Sequence, residues 1–335
     1  MTRRVSEQSS CDHPRVSVHM ITYNHERFIV QAIESVLNQA VDFDVELVIG
    51  EDCSTDSTRR MVQDYAHKYP GVIRALLPDK NLGAQKNCVN VFAGCRGDFI
   101  ACLEGDDYWT DNQKLARQAK FLDGHPECVS CFHNVLIVSG DPSVSLEGSH
   151  VQTDGRHLMC APHLKARFSQ EDFFKHNVIP TCSVMFRREA IGNLPPWFEK
   201  LAIGDLPLHI LCTEHGTAAY LPEVMGVYRL HGQSNWSSKT PIYRVSRTLD
   251  MYEVLERHFQ GRPQAAALWE VRMDMLQGYA RLLRRAGQSS EASAAAVTYI
   301  HLALKDPLFC LKHLSRLRRM CVLFCCVKLG RSTKL

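Results

Sequence analysis

The amino-acid sequence predicts an α/β protein with a mostly parallel sheet, helices on both faces of that sheet, and a helical appendage at the carboxyl end. Short runs of apolar, β-branched residues alternate with segments whose apolar residues recur at helical spacing, as in repeated strand–helix units. The 335 residues, 45% of them hydrophobic, suffice for one large core. We predict a short flexible N-terminus at 1–14, an α/β domain at 15–238 and a helical region at 239–335.

The α/β domain is predicted to begin with a strand at Val16–Ile21, because the run is apolar and partly β-branched. Apolar residues between Phe28 and Leu37 then recur at helical spacing. The pattern continues, in chain order, with a strand at Val45–Gly50, a helix at Ser54–Tyr69, a strand at Val72–Leu77, a helix at Gln85–Ala93 and a strand at Phe99–Leu103. Alternation of this kind is typical of parallel strands joined by helices.

Past the predicted sheet the pattern changes twice. Residues Gly140–Ala166 are rich in Ser, Gly, Pro and His, which indicates an irregular loop. Amphipathic, alanine-rich segments at Ala265–Leu283 and Glu291–Leu304 predict helices. The basic and apolar segment Leu311–Met320 has two interpretations, a helix that contacts the anionic inner face of a membrane or a packing helix with a solvated basic side.

Composition excludes several kinds of protein. The net charge of +3 and the scattered basic residues do not form the footprint of a nucleic-acid-binding protein. The 14 cysteines lack the dense spacing of a secreted disulfide scaffold, which favours reduced thiols. The polar N-terminus resembles no secretory signal, and no apolar run is long enough to span a bilayer. We therefore expect a cytoplasmic protein.

Polar clusters directly follow three of the predicted strands. They are Thr22–Asn24, Glu51–Asp52 and Glu104–Trp109. In open α/β sheets, ligands bind at the carboxyl ends of the strands, so these clusters are expected to line one site. The third cluster is a dense acidic turn, and carboxylate oxygens are typical ligands of a divalent cation.

Four ordered sequence blocks resemble family 2 glycosyltransferases. The blocks are Val18–Asn24, Ile33–Gln39, Glu51–Thr58 and Glu104–Asp107, and the similarity extends over about Val16–Trp236. The resemblance implies the GT-A fold, a nucleotide-diphosphate-sugar donor, a divalent metal (Mn²⁺ or Mg²⁺), and inversion at the anomeric carbon. It also implies a glycan or lipid-linked acceptor, as in assembly of cell-surface polysaccharide or glycolipid.

The residues predicted to bind the nucleotide are Thr22 and Tyr23 at the first strand end, Asp52 at the second, and Lys86. A tyrosine ring offers a flat face for a base, and a carboxylate accepts a hydrogen bond from an imide N–H. Similar enzymes carry these groups at the matching positions. The alternatives are that Asp52 caps the helix that follows Ser54 and that Lys86 is a solvated surface lysine.

The metal ligands predicted from the resemblance are Asp106, Asp107 and His231. A divalent cation held by carboxylates can bridge two phosphates and stabilise their departure as a leaving group. Asp107 is expected to touch the metal, Asp106 the metal or the ribose, and His231 to complete the metal shell. Glu104 stands where the family pattern has an aspartate, so its role stays open, and the alternative for His231 is a packing role.

The general base predicted from the resemblance is Asp205, the acid in Ile203–Leu208. Direct displacement needs a base that takes the acceptor hydroxyl proton. The alternative is an N-cap for a helix at Leu208–Glu214. Should Asp205 not be the base, the carboxylates of Glu171, Asp172 and Glu214 are next in line.

Two rival functions compete with that of a transferase. A catalytically silent nucleotide-sugar-binding protein would have lost the acidic turn or the base, and both are present. A nicotinamide-dependent oxidoreductase needs Gly-X-Gly-X-X-Gly at the first strand–helix turn, where this chain has Thr22–Glu26. The enzyme hypothesis is the stronger one.

Overall fold

The structure of the protein is a computed structural model that describes residues 2–8, 12–139, 150–151, 157–161, 163–232, 236, 238–306, 309 and 313–328. The chain forms two compact units, Met1–Ser238 and Lys239–Leu335. Part of the loop predicted at Gly140–Ala166 lies outside the described residues.

The first unit alternates strands and helices in the predicted manner. Its strands are β1 Arg3–Arg4, β2 Val16–Thr22, β3 Ala40–Val41, β4 Val45–Glu51, β5 Ile73–Leu76, β6 Phe99–Cys102, β7 Tyr108–Trp109, β8 Cys128–Ser139, β9 His150–Val151, β10 His157–Leu158, β11 Arg167–Phe168, β12 Met185–Arg187 and β13 Thr217–Leu230. Its helices are α1 Ile29–Leu37, α2 Thr58–Lys68, α3 Ala84–Gly94, α4 Lys114–Gly124, α5 Gln170–Lys175, α6 Arg188–Ile191 and α7 Asp205–Cys212.

The central sheet has the strand order β11-β13-β8-β12-β6-β2-β4-β5. The neighbours β6, β2, β4 and β5 are parallel, and β8 and β13 are parallel, whereas β12 runs antiparallel between β6 and β8. The predicted fold class, a mostly parallel sheet with helices around it, is confirmed. Parallel pairing brings the carboxyl ends of β2, β4 and β6 to one edge.

The central strands show no alternation of buried and exposed residues. Every residue of β4 and six of the seven residues of β2 are buried, since helices cover both faces of a parallel sheet. On one side, Ile33 and Val36 of α1 belong to the same core cluster as Val18 and Leu47 of the sheet. Burying an aliphatic side chain of this size contributes about 1.5–3 kcal/mol.

The helix predicted at Ser54–Tyr69 begins four residues later than expected, at Thr58. The Ser54 backbone N–H donates to Glu51 (2.7 Å), and the Thr55 backbone N–H donates to the Asn24 side chain (2.8 Å). These bonds tie the segment to two strand ends, so it forms a connecting loop. The capping alternative for Asp52 is therefore wrong.

The helix predicted at Leu208–Glu214 also differs, because it spans Asp205–Cys212. The Leu208 N–H donates to the Gly204 carbonyl at 3.1 Å, which closes the first turn around Gly204 as the capping residue. Asp205 is thus the first residue of the helix and not its N-cap. Glu214 lies beyond the helix.

The second unit is helical, with α8 Pro241–His258, α9 Pro263–Arg285, α10 Ser289–Leu304 and a final helix Leu314–Lys328. The two helices expected at Ala265–Leu283 and Glu291–Leu304 are present with slightly wider bounds. Met320 and Leu323 of the final helix are buried in a core that this helix forms with α9 and α10. Among the residues that the structure describes, no helix combines the length and apolar character that crossing a bilayer requires.

Candidate active site

Three polar turns meet at the edge where β2, β4 and β6 end. The Gly105 N–H donates to the Ile21 carbonyl at 3.0 Å, and the Asp52 N–H donates to the Thr22 carbonyl at 3.0 Å. The turns predicted from separate parts of the sequence are therefore joined to one another through backbone hydrogen bonds. They form one site.

Gly105 allows this close approach. A Cβ atom at position 105 would lie 2.5 Å from the Thr22 hydroxyl oxygen and 3.1 Å from Nδ1 of His25. Real Cβ atoms do not come so near to a side chain held at a strand end, so only glycine fits here. The acidic turn therefore rests directly on the first strand end.

One carboxylate and two imidazoles converge above this turn. Oδ2 of Asp106 lies 2.9 Å from Nε2 of His231 and 3.7 Å from Nε2 of His25. One ligand atom from each of the three residues lies within 4.8 Å of the others, which makes the group a candidate for holding a cation. Burial alone would raise the pKa of Asp106, but the His231 hydrogen bond and the nearby His25 hold that pKa below its ordinary value.

The Asp107 carboxylate makes its hydrogen bond outside this group. The side chain is 1% exposed, and Oδ1 accepts a hydrogen bond from the Arg229 backbone N–H at 2.8 Å. Burial and the neighbouring Asp106 raise the pKa of Asp107 well above its ordinary value. The converging group of three does not include Asp107. That Asp107 contacts the metal stays a prediction.

Arg229 joins the last strand to the acidic turn. Its guanidinium donates to the Asp106 carbonyl at 2.5 Å and to the Gln31 side chain, and it lies 4.4 Å from the centroid of the Tyr108 ring. Pairing of β13 with β7 sets this position, since Gly226 is the partner of Trp109. Arg229 holds the turn that carries Asp106.

The residues predicted to bind the nucleotide lie around the first two strand ends. Tyr23 is 38% exposed, so its ring is accessible for stacking. Asp52 is buried, and its two oxygens accept hydrogen bonds from the Leu82 N–H (2.7 Å) and the Gly83 N–H (3.0 Å). Asp52 thereby fixes the loop that leads into α3, where Lys86 is exposed.

Asp205 lies at the start of α7 with both oxygens hydrogen-bonded. Asn177 donates to Oδ2 at 2.6 Å, and the Leu206 N–H donates to Oδ1 at 2.8 Å. Burial raises the pKa of Asp205 above its ordinary value in spite of these bonds. A carboxyl group with a raised pKa on a partly exposed helix start is suited to proton transfer.

Glu104 lies near enough to the other acids of the site to feel their charge. Burial, followed by the charges of Asp107, Asp106 and Asp205, raises the pKa of Glu104 well above its ordinary value. Its buried Oε2 has no hydrogen-bond partner among the described residues. The charge of Asp205, at the start of α7, therefore acts on the acidic turn.

Sequence reasoning missed three residues of this site. They are His25, Asn177 and Arg229. His25 directly follows the Thr22–Asn24 cluster, so its position beside a strand end was a usable signal. Arg229 stands two residues before His231, in a block whose histidine drew the metal prediction.

The fold belongs to a known class, the GT-A fold. S. aureus TarS 1-349, solved in complex with UDP-GlcNAc, shares the fold with a TM-score of 0.56 at 16% identity, over 96% of this chain and 93% of that one. The mannosyltransferase PcManGT from Pyrobaculum calidifontis, in complex with GDP-Man and Mn²⁺, has a TM-score of 0.55 at 17% identity, over 98% and 89% of the two chains.

Sequence comparison identifies the family within that class. The family described as "Glycosyl transferase family 2" matches residues 17–194, more than half of the chain. The chain belongs to this family. An uncharacterized protein of Mycobacterium tuberculosis is 35% identical over 229 residues, 67% of this chain. The putative teichuronic acid biosynthesis glycosyltransferase TuaG of Bacillus subtilis is 28% identical over 249 residues, 73% of this chain and 90% of TuaG.

The chain spans 61% of the length of the mycobacterial relative. The activity, substrates and partners of this chain are therefore proposals, which rest on the geometry of its own site.

Proposed function

We propose that the protein transfers a sugar from a nucleotide-diphosphate sugar to an acceptor hydroxyl, with inversion and with the help of a divalent cation. The observation that carries the proposal is the contact between the Asp106 carboxylate and the His231 imidazole, 2.9 Å apart at the strand ends, on an acidic turn whose Glu104 is affected by the charge of Asp205. A silent binding protein has no need of a base in that region.

The donor is proposed to bind along the edge of the sheet formed by β2 and β4. Tyr23 would stack on the base, and Asp52 would accept its N–H, since a carboxylate oxygen has a second lone pair beside the one used by the loop. Lys86 would approach the nucleotide from the exposed start of α3. TarS and PcManGT support a nucleotide-sugar donor, with UDP-GlcNAc and GDP-Man respectively.

The cation would be held by Asp106 and His231, whose carboxylate and imidazole are suitable ligands. When bound, it supplies positive charge that stabilises the departing diphosphate. Arg229 and the glycine at position 105 keep the Asp106 turn in place against Thr22. Asp107 contributes by fixing the backbone of Arg229.

Asp205 is proposed to take the proton of the acceptor hydroxyl as its oxygen attacks the anomeric carbon. The bond between that oxygen and the anomeric carbon forms while the bond to the diphosphate oxygen breaks, so the configuration inverts. Asn177 and the Leu206 N–H orient the carboxylate. Its raised pKa strengthens it as a base relative to an ordinary carboxylate.

The proposal is tested by thermal denaturation with a panel of nucleotide sugars, each with and without Mn²⁺. A donor that binds the folded state raises the melting temperature by an amount set by its concentration and affinity. We expect one nucleotide-sugar class to stabilise the protein only with the metal, and to be turned over when an acceptor is supplied. Stabilisation without any turnover or slow hydrolysis would favour the silent binder.

The acceptor is proposed to be a glycan or a lipid-linked glycan of the cell surface, built by a cytoplasmic protein at the inner membrane face. The name of TuaG, which refers to teichuronic acid biosynthesis, supports a polysaccharide acceptor. Residues 239–335 hold 17 Lys and Arg but 7 Asp and Glu, a net charge of +10, whereas residues 1–238 hold 22 and 29, a net charge of −7. Such a basic region attracts anionic lipid.

The final helix is the proposed point of membrane contact. Leu314, Arg318 and Arg319 are exposed there, whereas Met320 is buried. Co-sedimentation with phosphatidylcholine vesicles, with and without phosphatidylglycerol, tests this. Reversing both arginines to glutamate should weaken binding to the anionic vesicles.

A matched control is available in the first unit, where Arg60 and Lys68 are exposed on α2. Reversing those two charges changes the net charge of the chain by the same amount. If the two double variants bind vesicles equally, the final helix is not the contact.

A further inference from the structure

His25 is the one member of the converging group that comes from the turn after the first central strand. Its Nε2 lies 3.7 Å from Oδ2 of Asp106, and His231 approaches the same oxygen from the end of β13. The planes of the two imidazole rings are nearly perpendicular, at 88°, with centroids 6.1 Å apart. Two strand ends therefore bring two ring nitrogens to one carboxylate.

Two separations within the group match those of ligands around a single ion. Nitrogen and oxygen ligands bind a transition-metal dication at about 2.0–2.2 Å, so neighbouring ligands lie roughly 3 to 3.6 Å apart. The 2.9 Å and 3.7 Å separations around Asp106 Oδ2 are close to that spacing, and the group stays within 4.8 Å throughout. Two of the three separations therefore already suit ligands of one ion.

The His25 ring is oriented for such a role. Its Nδ1 lies 3.2 Å from the Thr22 hydroxyl, and its backbone N–H donates to the Thr58 hydroxyl at 2.8 Å. Metal-binding histidines usually hold one ring nitrogen in a hydrogen bond while the other nitrogen binds the ion. Here Thr22 holds Nδ1, which leaves Nε2 directed at Asp106.

We propose that His25 is a third protein ligand of the cation, so that the site is a two-histidine, one-carboxylate site that selects first-row transition-metal dications over Mg²⁺. The inference rests on the proposed function, which needs only Asp106 and His231. Imidazole nitrogen suits transition metals, whereas Mg²⁺ prefers oxygen ligands and retains its water. Three protein ligands also leave positions open for the phosphate oxygens of a donor.

The test measures metal binding directly, without donor or turnover. Mn²⁺ is titrated into the full chain and the free ion is followed by its EPR signal, with Mg²⁺ added as a competitor. We expect wild type to prefer Mn²⁺ clearly over Mg²⁺. His25→Ala should bind Mn²⁺ about 10- to 100-fold more weakly, with Mg²⁺ affinity nearly unchanged, so that the preference falls.

A spectroscopic count of nitrogen ligands gives an independent readout. Pulsed EPR of bound Mn²⁺ should show couplings from two imidazole nitrogens in wild type and from one in the variant. His67→Ala is the matched control, because His67 is exposed on α2 and its ring bonds to the Gln63 carbonyl. Should His25→Ala fail to fold, His25→Gln, which keeps a polar side chain, is measured in its place.

The outcomes separate the two proposals. If Asp106→Asn abolishes Mn²⁺ binding while the His25 variants bind as wild type does, with two nitrogen couplings retained, His25 is not a ligand and the proposed function stands. If wild type binds neither cation, even with a nucleotide sugar present, the metal-dependent function itself fails. Loss of one coupling together with weaker Mn²⁺ binding supports the inference.

Discussion

Replacing Asp205 with Asn tests the general base while changing the shape of the side chain very little. Asp205 accepts two hydrogen bonds, from Asn177 and from the Leu206 N–H, through its two different oxygens. An asparagine has one oxygen and one NH₂ group, so one of these donors would face another donor. That mismatch is expected to lower the free energy of unfolding by about 1–3 kcal/mol.

The loss of turnover should be larger and of a different kind. A positioned base contributes roughly 10²–10⁴-fold to rate, which corresponds to about 3–5 kcal/mol of transition-state stabilisation. Donor and metal affinity should remain near wild type, because the groups proposed to hold them are elsewhere. The assays are steady-state kinetics with saturating donor, thermal denaturation, and donor titration on the same preparation.

The pH profile of the wild-type protein adds a second check. The base acts only when ionised, and burial raises the pKa of Asp205. The rate should therefore fall as pH decreases through a pKa above the ordinary carboxyl range, and this acidic limb should disappear from the residual rate of the Asn variant.

Asp172→Asn is the matched control for this experiment. Asp172 also lies in the first turn of a helix, and its Oδ2 accepts hydrogen bonds from the Ser169 N–H (2.7 Å) and the Ser169 hydroxyl (3.0 Å). It should also lose stability, because its Oδ1 pairs with the Lys165 ammonium and an asparagine NH₂ group in that place would face a donor, yet it should keep its turnover. A folded Asp205→Asn variant with turnover within about threefold of wild type would refute the assignment of the base.

Three further outcomes are expected. Gly105→Ala should lower the free energy of unfolding by about 1–3 kcal/mol and weaken Mn²⁺ binding, because the added Cβ would meet the Thr22 hydroxyl at 2.5 Å. An unchanged melting temperature and an unchanged metal titration would contradict that packing. Burial lowers the pKa of Lys114 from 10.5 to about 7, so the folded state holds fewer protons than the unfolded chain between those pH values, and stability should rise with pH across that window. Lys114→Met should remove that rise and raise the melting temperature near pH 7. If the melting temperature of the variant depended on pH as that of wild type does, the lysine would be charged in the folded state. A truncation after Ser238 should still bind donor in thermal denaturation, because every residue proposed to bind it precedes that point; a folded truncation without donor binding would mean that the second unit completes the site.

The sheet and the location of the site were predictable because their signals are local. Apolar runs such as Val45–Gly50 are visible without knowledge of what packs on them, and parallel strands place their following turns at one edge. The polar clusters after Ile21, Ile49 and Leu103 therefore indicate a shared site from the sequence alone. The geometry within the site required more.

Helix starts and side-chain partners depended on contacts between distant parts of the chain. Ser54 and Thr55 have the residue types of a helix start, yet their backbone N–H groups bond to Glu51 and Asn24, so the helix begins at Thr58. His25 and His231 are separated by more than 200 residues and meet only because β2 and β13 deliver them to the same turn. No periodicity in either segment encodes that meeting.

The two hydrogen bonds from the loop to Asp52 have a consequence for any attempt to alter the proposed nucleotide specificity. The proposed base-recognising carboxylate is also the anchor of Leu82 and Gly83, and through them of the helix that carries Lys86. Replacing Asp52 to suit another base would change the group that recognises the base and would also remove the two hydrogen bonds that hold the loop. Redesign of donor choice therefore has to treat Asp52 and the Asn81–Gly83 loop as one unit of sequence.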